Sequence, residues 1–328
     1  MKQVHIAILG ATGAVGKTML KVLEERKFPI KQLTLLASER SVGSVMKYHN
    51  QDLSIELACP DAFKGVDIVL GAVSNEMAIY FAPFIKAAHA LFIDNSSAFR
   101  MEKHVPLVVP EINAEDAYKH QGIISNPNCS TIITCMAIYN LARLSPITHM
   151  FTATYQAVSG AGQAGLDELL NQTDAFANKQ DLEFSTFSEP ILHNVIPLIA
   201  DRLVNGYTSE EMKMQDESRK ILHLPKLKVS CTCVRVPVLQ SHSIAISIQT
   251  KDLISLEDAE KQLSLTKGLI YSSIDLPTPF RTSYQDKVLV GRLRSDLVFK
   301  NGLSLFACGD QLRKGAATNA IQIAELFI

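Results

Sequence analysis

Net charge is scarce in this chain. Thirty-two lysines and arginines stand against 33 aspartates and glutamates in 328 residues, leaving a formal charge of -1. That balance excludes a basic field for nucleic acid or an anionic membrane surface, so any anion site must be local. Long apolar runs are missing as well. None approaches the roughly 20 residues of a membrane span. The opening MKQVHIAILG has neither the apolar core nor the small-residue cleavage site of a signal peptide. Cysteine is sparse, with six residues at positions 59, 129, 135, 231, 233 and 308, too few for a disulfide framework in a chain of this length. A reducing compartment is expected, most simply the cytoplasm. Cys231 and Cys233 lack a His-x₃-His partner pattern, so no zinc site is expected and the pair reads as packing on one strand face. Nothing repeats internally and no segment is low-complexity. What remains is a globular chain, 47% hydrophobic and long enough for two domains.

The first half carries a regular pattern. VHIAIL (4–9) is a continuous apolar run, as in a strand buried on both faces. The turn Gly10-Ala-Thr12-Gly13-Ala14-Val15-Gly16 follows at once. KTMLKVLEERKF then has helical apolar spacing, and LTLLA reads as a second strand. Glycines between a first strand and a helix let the backbone approach a pyrophosphate, and the helix N-terminus offers it N–H groups. After the second strand, Arg40 and Ser41 suit a 2′-phosphate and favour NADP. Glu39 argues for NAD and is expected to turn outward. VDIVLGAVS, ALFIDNSSAFR, PLVVPEIN and GIISNPNC continue the alternation. Strand ends at Ser74, Asn95 and Cys129 are expected along one sheet edge, where ligands bind in such folds.

The second half contains a better literal match to G-x-G-x-x-G, Gly160-Ala-Gly162-Gln-Ala-Gly165. No apolar strand follows its helix directly, so it reads as a loop, or as one reaching the cofactor from a second domain. KLKVSCTCVRVPV, SIAISIQT, DKVLVGRLRSD and LSLFACG alternate like strands. The residue that stands out is Cys129, set by SNPNC at the mouth of an apolar helix. A helix dipole contributes ~0.3–1 kcal/mol to a thiolate, less than one pKa unit, so a base or cation must help. The helix N–H groups suit an oxyanion. Cys135, inside the helix, reads as core. Arg235 and His242 are expected side by side at the ends of neighbouring strands, with His242 the candidate base.

The segments GATGAVG, SSAFRM, SNPNCSTI, YQAVSGAGQAG, ESRKIL, VRVPVLQSHS and LRKGAATNAIQIAE together resemble the bacterial type of aspartate-semialdehyde dehydrogenase, almost end to end. That family is similar in plan to glyceraldehyde-phosphate dehydrogenases. The resemblance implies an α/β fold. Its first part is a doubly wound Rossmann-type parallel sheet (1–128, completed by a helix over 309–328). Its second is an α+β catalytic and dimerisation domain (129–308) with a mostly antiparallel or mixed sheet. It implies NADPH-dependent reduction of L-aspartyl 4-phosphate to the semialdehyde through a cysteine thioester. That step serves lysine (with diaminopimelate), methionine and threonine biosynthesis. Cys129 falls on the nucleophile and His242 on the acid/base. Arg235 falls on the partner of the substrate α-carboxylate, Glu217 on that of its amino group, and Gln156 with Asn128 on the acyl end. Arg100 and Lys220 fall on the phosphate site, and Ser159, Gly160 and Gln311 on the cofactor. A homodimer and no metal are implied. The chain departs from the family at Gly71–Asn75, where a serine-alanine-glycine turn is common. Two rivals are an N-acetylglutamyl-phosphate type of reductase, which has no use for a carboxylate facing a free amine, and a non-catalytic NADP-binding redox sensor, which has no use for Cys129, Arg235 and His242 together.

Overall fold

The computed structural model describes residues 3–328. It divides into two compact units, residues 1–128 with 316–328, and residues 129–315. The first begins with β1 (Val4–Leu9), α1 (Ala14–Glu25), β2 (Ile30–Ala37), β3 (Val45–Tyr48), β4 (Gln51–Leu57) and β5 (Ile68–Gly71). It continues with α2 (Asn75–Ala87), β6 (Leu91–Asp94), α3 (Pro110–Ala117) and β7 (Ile123–Ser125). Among the described residues the strands form one seven-stranded sheet, in the order β3-β4-β2-β1-β5-β6-β7. All neighbours run parallel except β3 and β4. β5 and β6 are buried at every position and β1 at all but His5, which is why they read as apolar runs. One apolar cluster joins Ile6, Ile8, Leu35 and Leu70 to Met19 and Leu23 of α1. A second joins Leu9, Val69 and Phe92 to Phe81 and Ile85 of α2. Helices thus cover both sheet faces.

The second unit holds α4 (Cys129–Leu144), β8 (Ile147–Gln156), α5 (Gly162–Ala177), α6 (Ser209–Ile221), β9 (Lys228–Arg235) and β10 (His242–Thr250). It ends with α7 (Leu256–Ser264), β11 (Leu269–Tyr271), α8 (Pro279–Thr282), β12 (Val288–Ser295) and β13 (Gly302–Gly309). Its sheet is mixed, in the order β11-β12-β13-β10-β8-β9. The pairs β10/β13, β10/β8 and β12/β13 are antiparallel, and β8/β9 and β11/β12 are parallel. α4 is buried along most of its length, consistent with its nearly all-round apolar sequence. The last helix, α9 (Thr318–Glu325), packs against α1 and α3 of the first unit, with Asn319 Nδ2 donating to Val108 O at 2.9 Å. The C-terminal stretch of that unit begins at Ala316 rather than at 309. Asp310 is the physical reason, because its carboxylate accepts from Gln240, Tyr284, Leu312 and Arg313 and so ties 310–313 to the second unit.

Two local expectations change. PLVVPEIN does not form a strand. Leu107 makes an isolated bridge to Ser125, and Pro110 then opens α3, a position where its fixed φ and missing N–H suit a helix start. Arg235 and His242 end β9 and begin β10, but these strands are not neighbours, since β8 runs between them. Gln156 is paired with Arg235 across the β8/β9 ladder.

Candidate active site

The glycine turn after β1 is built for close approach. Gly10 has φ +88°, in the region that favours glycine. A β-carbon there would run into Ala72 O, and one on Gly16 would run into Gly10 O. α1 therefore presses tightly onto the turn. Gly13 is its N-cap and makes no side-chain cap bond, so the first N–H groups of α1 are left for a ligand rather than a side chain. Thr12, Ala14 and Val15 are half-buried along this opening. Arg40 and Ser41 lie in a short turn after β2. Arg40 is exposed and has no ion-pair partner among the described residues. The donor set fits a dinucleotide, with free helix N–H groups for the pyrophosphate and a guanidinium where the ribose end is read. Nearby, Asn95 Nδ2 donates to Gly71 O at 2.6 Å, and Asn126 Nδ2 donates to Asn95 Oδ1 at 2.9 Å. Arg100 is buried, and its Nη2 donates to Asn95 O at 2.7 Å. Asn128 is buried too.

The second unit gathers the chemistry-bearing groups. Cys129 is the first residue of α4 and is half-buried. Gly315 stands close against it, and a β-carbon there would lie 2.8 Å from Cys129 Cβ. Arg235, at the end of β9, is only 6% exposed. Its Nη1 donates to Ala157 O at 2.7 Å, and this is the one acceptor its guanidinium meets among the described residues. Burial lowers its pKa, and the Glu210 carboxylate and an ionised Cys129 would oppose that fall. A buried cation with most of its donors unspent points to an anionic ligand.

His242 opens β10 and is fully buried. The backbone N–H of Ala157 donates to its Nδ1 at 3.1 Å. A backbone N–H can only donate, so Nδ1 accepts, and the neutral ring carries its proton on Nε2. Nε2 is buried with no hydrogen-bond partner among the described residues. The ring pKa is pushed down to about 3, first by burial and second by the Arg235 charge, against a smaller opposing effect of Glu210. His242 is therefore a neutral N–H donor. Gly160 is what brings it beside Arg235. A β-carbon on Gly160 would lie 2.7 Å from Arg235 Nη1 and 3.1 and 3.2 Å from His242 Cε1 and Nε2.

Ser159 and Gln311 brace the turn that delivers His242. Ser159 Oγ donates to Leu239 O at 2.5 Å and accepts from Gln311 Nε2. Gln311 Oε1 accepts from Ser241 N at 2.7 Å. Their side chains are largely committed inside the unit. Gln156 is buried, and its Nε2 donates to Thr154 Oγ1 at 3.3 Å and to Glu210 Oε1 at 3.4 Å. Glu210 also pairs with Lys213 at 2.9 Å. Glu217 is buried and Lys220 half-buried on the same turn of α6. Cys231 and Cys233 are buried with their sulfurs 3.6 Å apart, and Cys135 Sγ donates to Ser218 Oγ.

The structure thus groups Cys129, Arg235, His242, Gly160 and Gln156 in one unit, with Glu217 and Lys220 on a helix packed against β9 and α4. Gly10 to Val15, Arg40, Ser41, Arg100 and Asn128 belong to the other. Sequence reasoning missed Ala157, Glu210 and Asp310. No signal pointed to the first, which acts through its backbone. Glu210 sits in a charged helix where its burial has no local mark. Asp310 follows the last strand, with no local mark of the four donors its carboxylate meets.

The geometry suits a class, a two-unit oxidoreductase with a dinucleotide turn in one unit and, in the other, a cysteine at a helix start in the same unit as a buried arginine and histidine. Comparison with known proteins makes it specific. The profile described as the NAD binding domain of semialdehyde dehydrogenase matches residues 5–120, and that described as its dimerisation domain matches 140–314. The aspartate-semialdehyde dehydrogenase of Aquifex aeolicus is 44% identical over 332 residues, covering 99% of this chain and 98% of the relative. That of Synechocystis is 43% identical, covering 99% and 97%. A crystal structure of aspartate semialdehyde dehydrogenase II from Vibrio cholerae, described as complexed with ASA, is 42% identical with a TM-score of 0.98, covering 100% and 98%. The chain belongs to the aspartate-semialdehyde dehydrogenase family. Its first unit carries the family's NAD(P)-binding domain. Among the described residues no helix is long and apolar enough to cross a membrane.

Proposed function

We propose that this chain catalyses the reductive dephosphorylation of L-aspartyl 4-phosphate to L-aspartate 4-semialdehyde in the cytoplasm, with NADPH, as a homodimer, in the biosynthesis of lysine, methionine and threonine. The observation that carries the reading is the buried guanidinium of Arg235, which spends one N–H on Ala157 and stands in the field of Cys129. A planar fork suits a carboxylate, and a thiolate beside it suits the far end of the same short substrate. The Vibrio relative crystallised with ASA supports that substrate class.

Cys129 attacks the acyl carbon, the carbonyl collapses back, and phosphate leaves, giving a thioester on sulfur. The N–H groups at the start of α4 and the Nε2–H of His242 stabilise the oxyanion formed on the way. Arg100 and Lys220 supply positive charge for the departing phosphate. Gly10, Thr12, Gly13, Ala14 and Val15 would hold a reduced nicotinamide cofactor, with Arg40 and Ser41 at its 2′-phosphate, and the bound cofactor would supply a hydride. The oxyanion so formed accepts a hydrogen bond from the Nε2–H of His242, and its collapse re-forms the C=O, breaks the C–S bond and releases the aldehyde with Cys129 as thiolate. Arg235 holds the α-carboxylate, Glu217 the ammonium, and Gln156 with Asn128 the acyl end. Ser159, Gly160 and Gln311 meet the cofactor mainly through backbone.

The test is phosphate-dependent reduction of NADP by aspartate semialdehyde, run beside NAD and beside N-acetylglutamate semialdehyde. Activity with the first pair is expected. Cys129→Ala should abolish turnover while NADPH still binds, as followed by its fluorescence. Turnover in that variant would end the covalent route.

A further inference from the structure

The irregular segment between α5 and α6 is longer than a connection needs, and its backbone is held down in an unusual way. Glu168, buried on α5, accepts from the backbone N–H of Ser185 at 2.9 Å and of Thr186 at 2.6 Å. Gln172, one turn on, accepts from Ile191 N at 3.0 Å and Leu192 N at 2.9 Å, and donates to Glu183 O at 2.9 Å. Two buried side chains thus clamp the segment on either side of Phe187. The Phe187 ring meets Gly165 of α5, where a β-carbon would lie 3.1 Å from Cζ. On its other side Arg235 Cζ stands 5.7 Å from the ring centroid. A little further on, Ile196 forms a two-way bridge to Arg235, with N···O distances of 2.9 and 2.8 Å. The segment therefore grips Arg235 by its backbone and faces its guanidinium.

We propose that Phe187 is a positioning and specificity residue for substrate binding, holding the guanidinium plane of Arg235 so that its free N–H edge meets the substrate carboxylate. The Nη1 side is already closed by Ala157 O and Gly160. Phe187 stands with its ring centroid 5.7 Å from Arg235 Cζ, within the range at which a ring face attracts a cation. The edge that remains recognises a planar anion, and a carboxylate matches it better than a tetrahedral phosphate or sulfonate of the same charge. This rests on the assignment of Arg235 to the substrate carboxylate.

The experiment compares Phe187→Leu, Phe187→Tyr, Arg235→Lys and the double variant Phe187→Leu/Arg235→Lys, in the full-length enzyme with aspartate semialdehyde, phosphate and NADP. Phe187→Leu keeps bulk but loses the aromatic face. It should raise KM for the semialdehyde about five- to twentyfold, with kcat within about twofold and KM for NADP unchanged. Phe187→Tyr should restore the wild-type KM. In the double variant the leucine should add less than about twofold to the lysine effect, because the two residues act as one. A Phe187→Leu KM equal to wild type, or equal losses in the leucine and tyrosine variants, overturns the proposal. An unchanged KM in Arg235→Lys instead overturns the carboxylate assignment beneath it.

Discussion

Gly160 offers the sharpest way to test the cluster, because one methyl group separates the wild-type geometry from a clash. In Gly160→Ala the new carbon would sit 2.7 Å from Arg235 Nη1, so the guanidinium must retreat by about 0.7 Å to reach ordinary contact. It cannot do so freely, since Arg235 is buried and its Nη1 bonds to Ala157 O at 2.7 Å. Stretching or breaking a charged hydrogen bond costs about 1.5–3 kcal/mol, roughly a 10- to 150-fold change. His242 is pressed from the same point, at 3.1 and 3.2 Å, and a misplaced catalytic group of about 1 Å reaches the same order of loss. Backbone strain does not contribute, because Gly160 is not among the residues with positive φ. The expected outcome is a 10- to 100-fold fall in kcat/KM for phosphate-dependent reduction of NADP by aspartate semialdehyde. A thermal melt within a few degrees of wild type would show that the unit still folds. Wild-type kcat/KM in this variant would refute the close approach of 160 to both residues, and with it the shared site.

If Arg40 holds the 2′-phosphate, Arg40→Ala should raise KM for NADP about 10- to 100-fold and leave KM for NAD unchanged, since only the 2′-phosphate loses its charge-assisted partner; equal effects on both cofactors would remove Arg40 from that role. His242 predicts a pH dependence of stability. Its folded pKa is depressed to about 3, against about 6.5 in an unfolded chain. Above 6.5 the ring is neutral in both states and its full contribution is present. As pH falls below that value the unfolded state takes a proton that the folded state refuses, and stability drops by about 1.4 kcal/mol per pH unit until pH nears 3. Urea unfolding at pH 7 and pH 5 should show this slope, and His242→Asn should lack it. Identical slopes would show that the ring is not held neutral.

Much of the first unit was legible because its signals are local. The run 4–9 is apolar, the glycines sit at a strand-to-helix step, and the helix after them keeps a 3.6 period. The hairpin of β3 and β4 was not legible. Its strands are short and mostly exposed, and polar edge strands carry little apolar alternation. In the second unit the longer strands could be seen, but not the three-residue β11, nor which strand neighbours which, since ladder order depends on contacts far apart in sequence. That is how β8 came to lie between Arg235 and His242. Cys129 was visible because a turn and a helix start flag it. Phe187 was not, because nothing near it in sequence says that it will face a guanidinium.

The placement of the thiol, the guanidinium and the imidazole has a common physical basis. Each stands where a rigid element begins or ends, at the first residue of α4, the last of β9 and the first of β10. At such an end a side chain is fixed by its element and lies beyond the last ladder or helix bonds. β9 is also an edge strand, and its outward N–H groups would otherwise be bare. Glu211 accepts from Cys233 N at 3.0 Å and Ile196 bridges Arg235, so the edge is covered without a further strand that would have filled the site. The cost appears in the polar groups left over. A buried guanidinium with one acceptor and a buried imidazole nitrogen with none destabilise the folded chain by a few kcal/mol. Apolar replacements would fold more tightly, and the proposed function accounts for the groups that remain, with a substrate carboxylate and an oxyanion as the partners that would complete them.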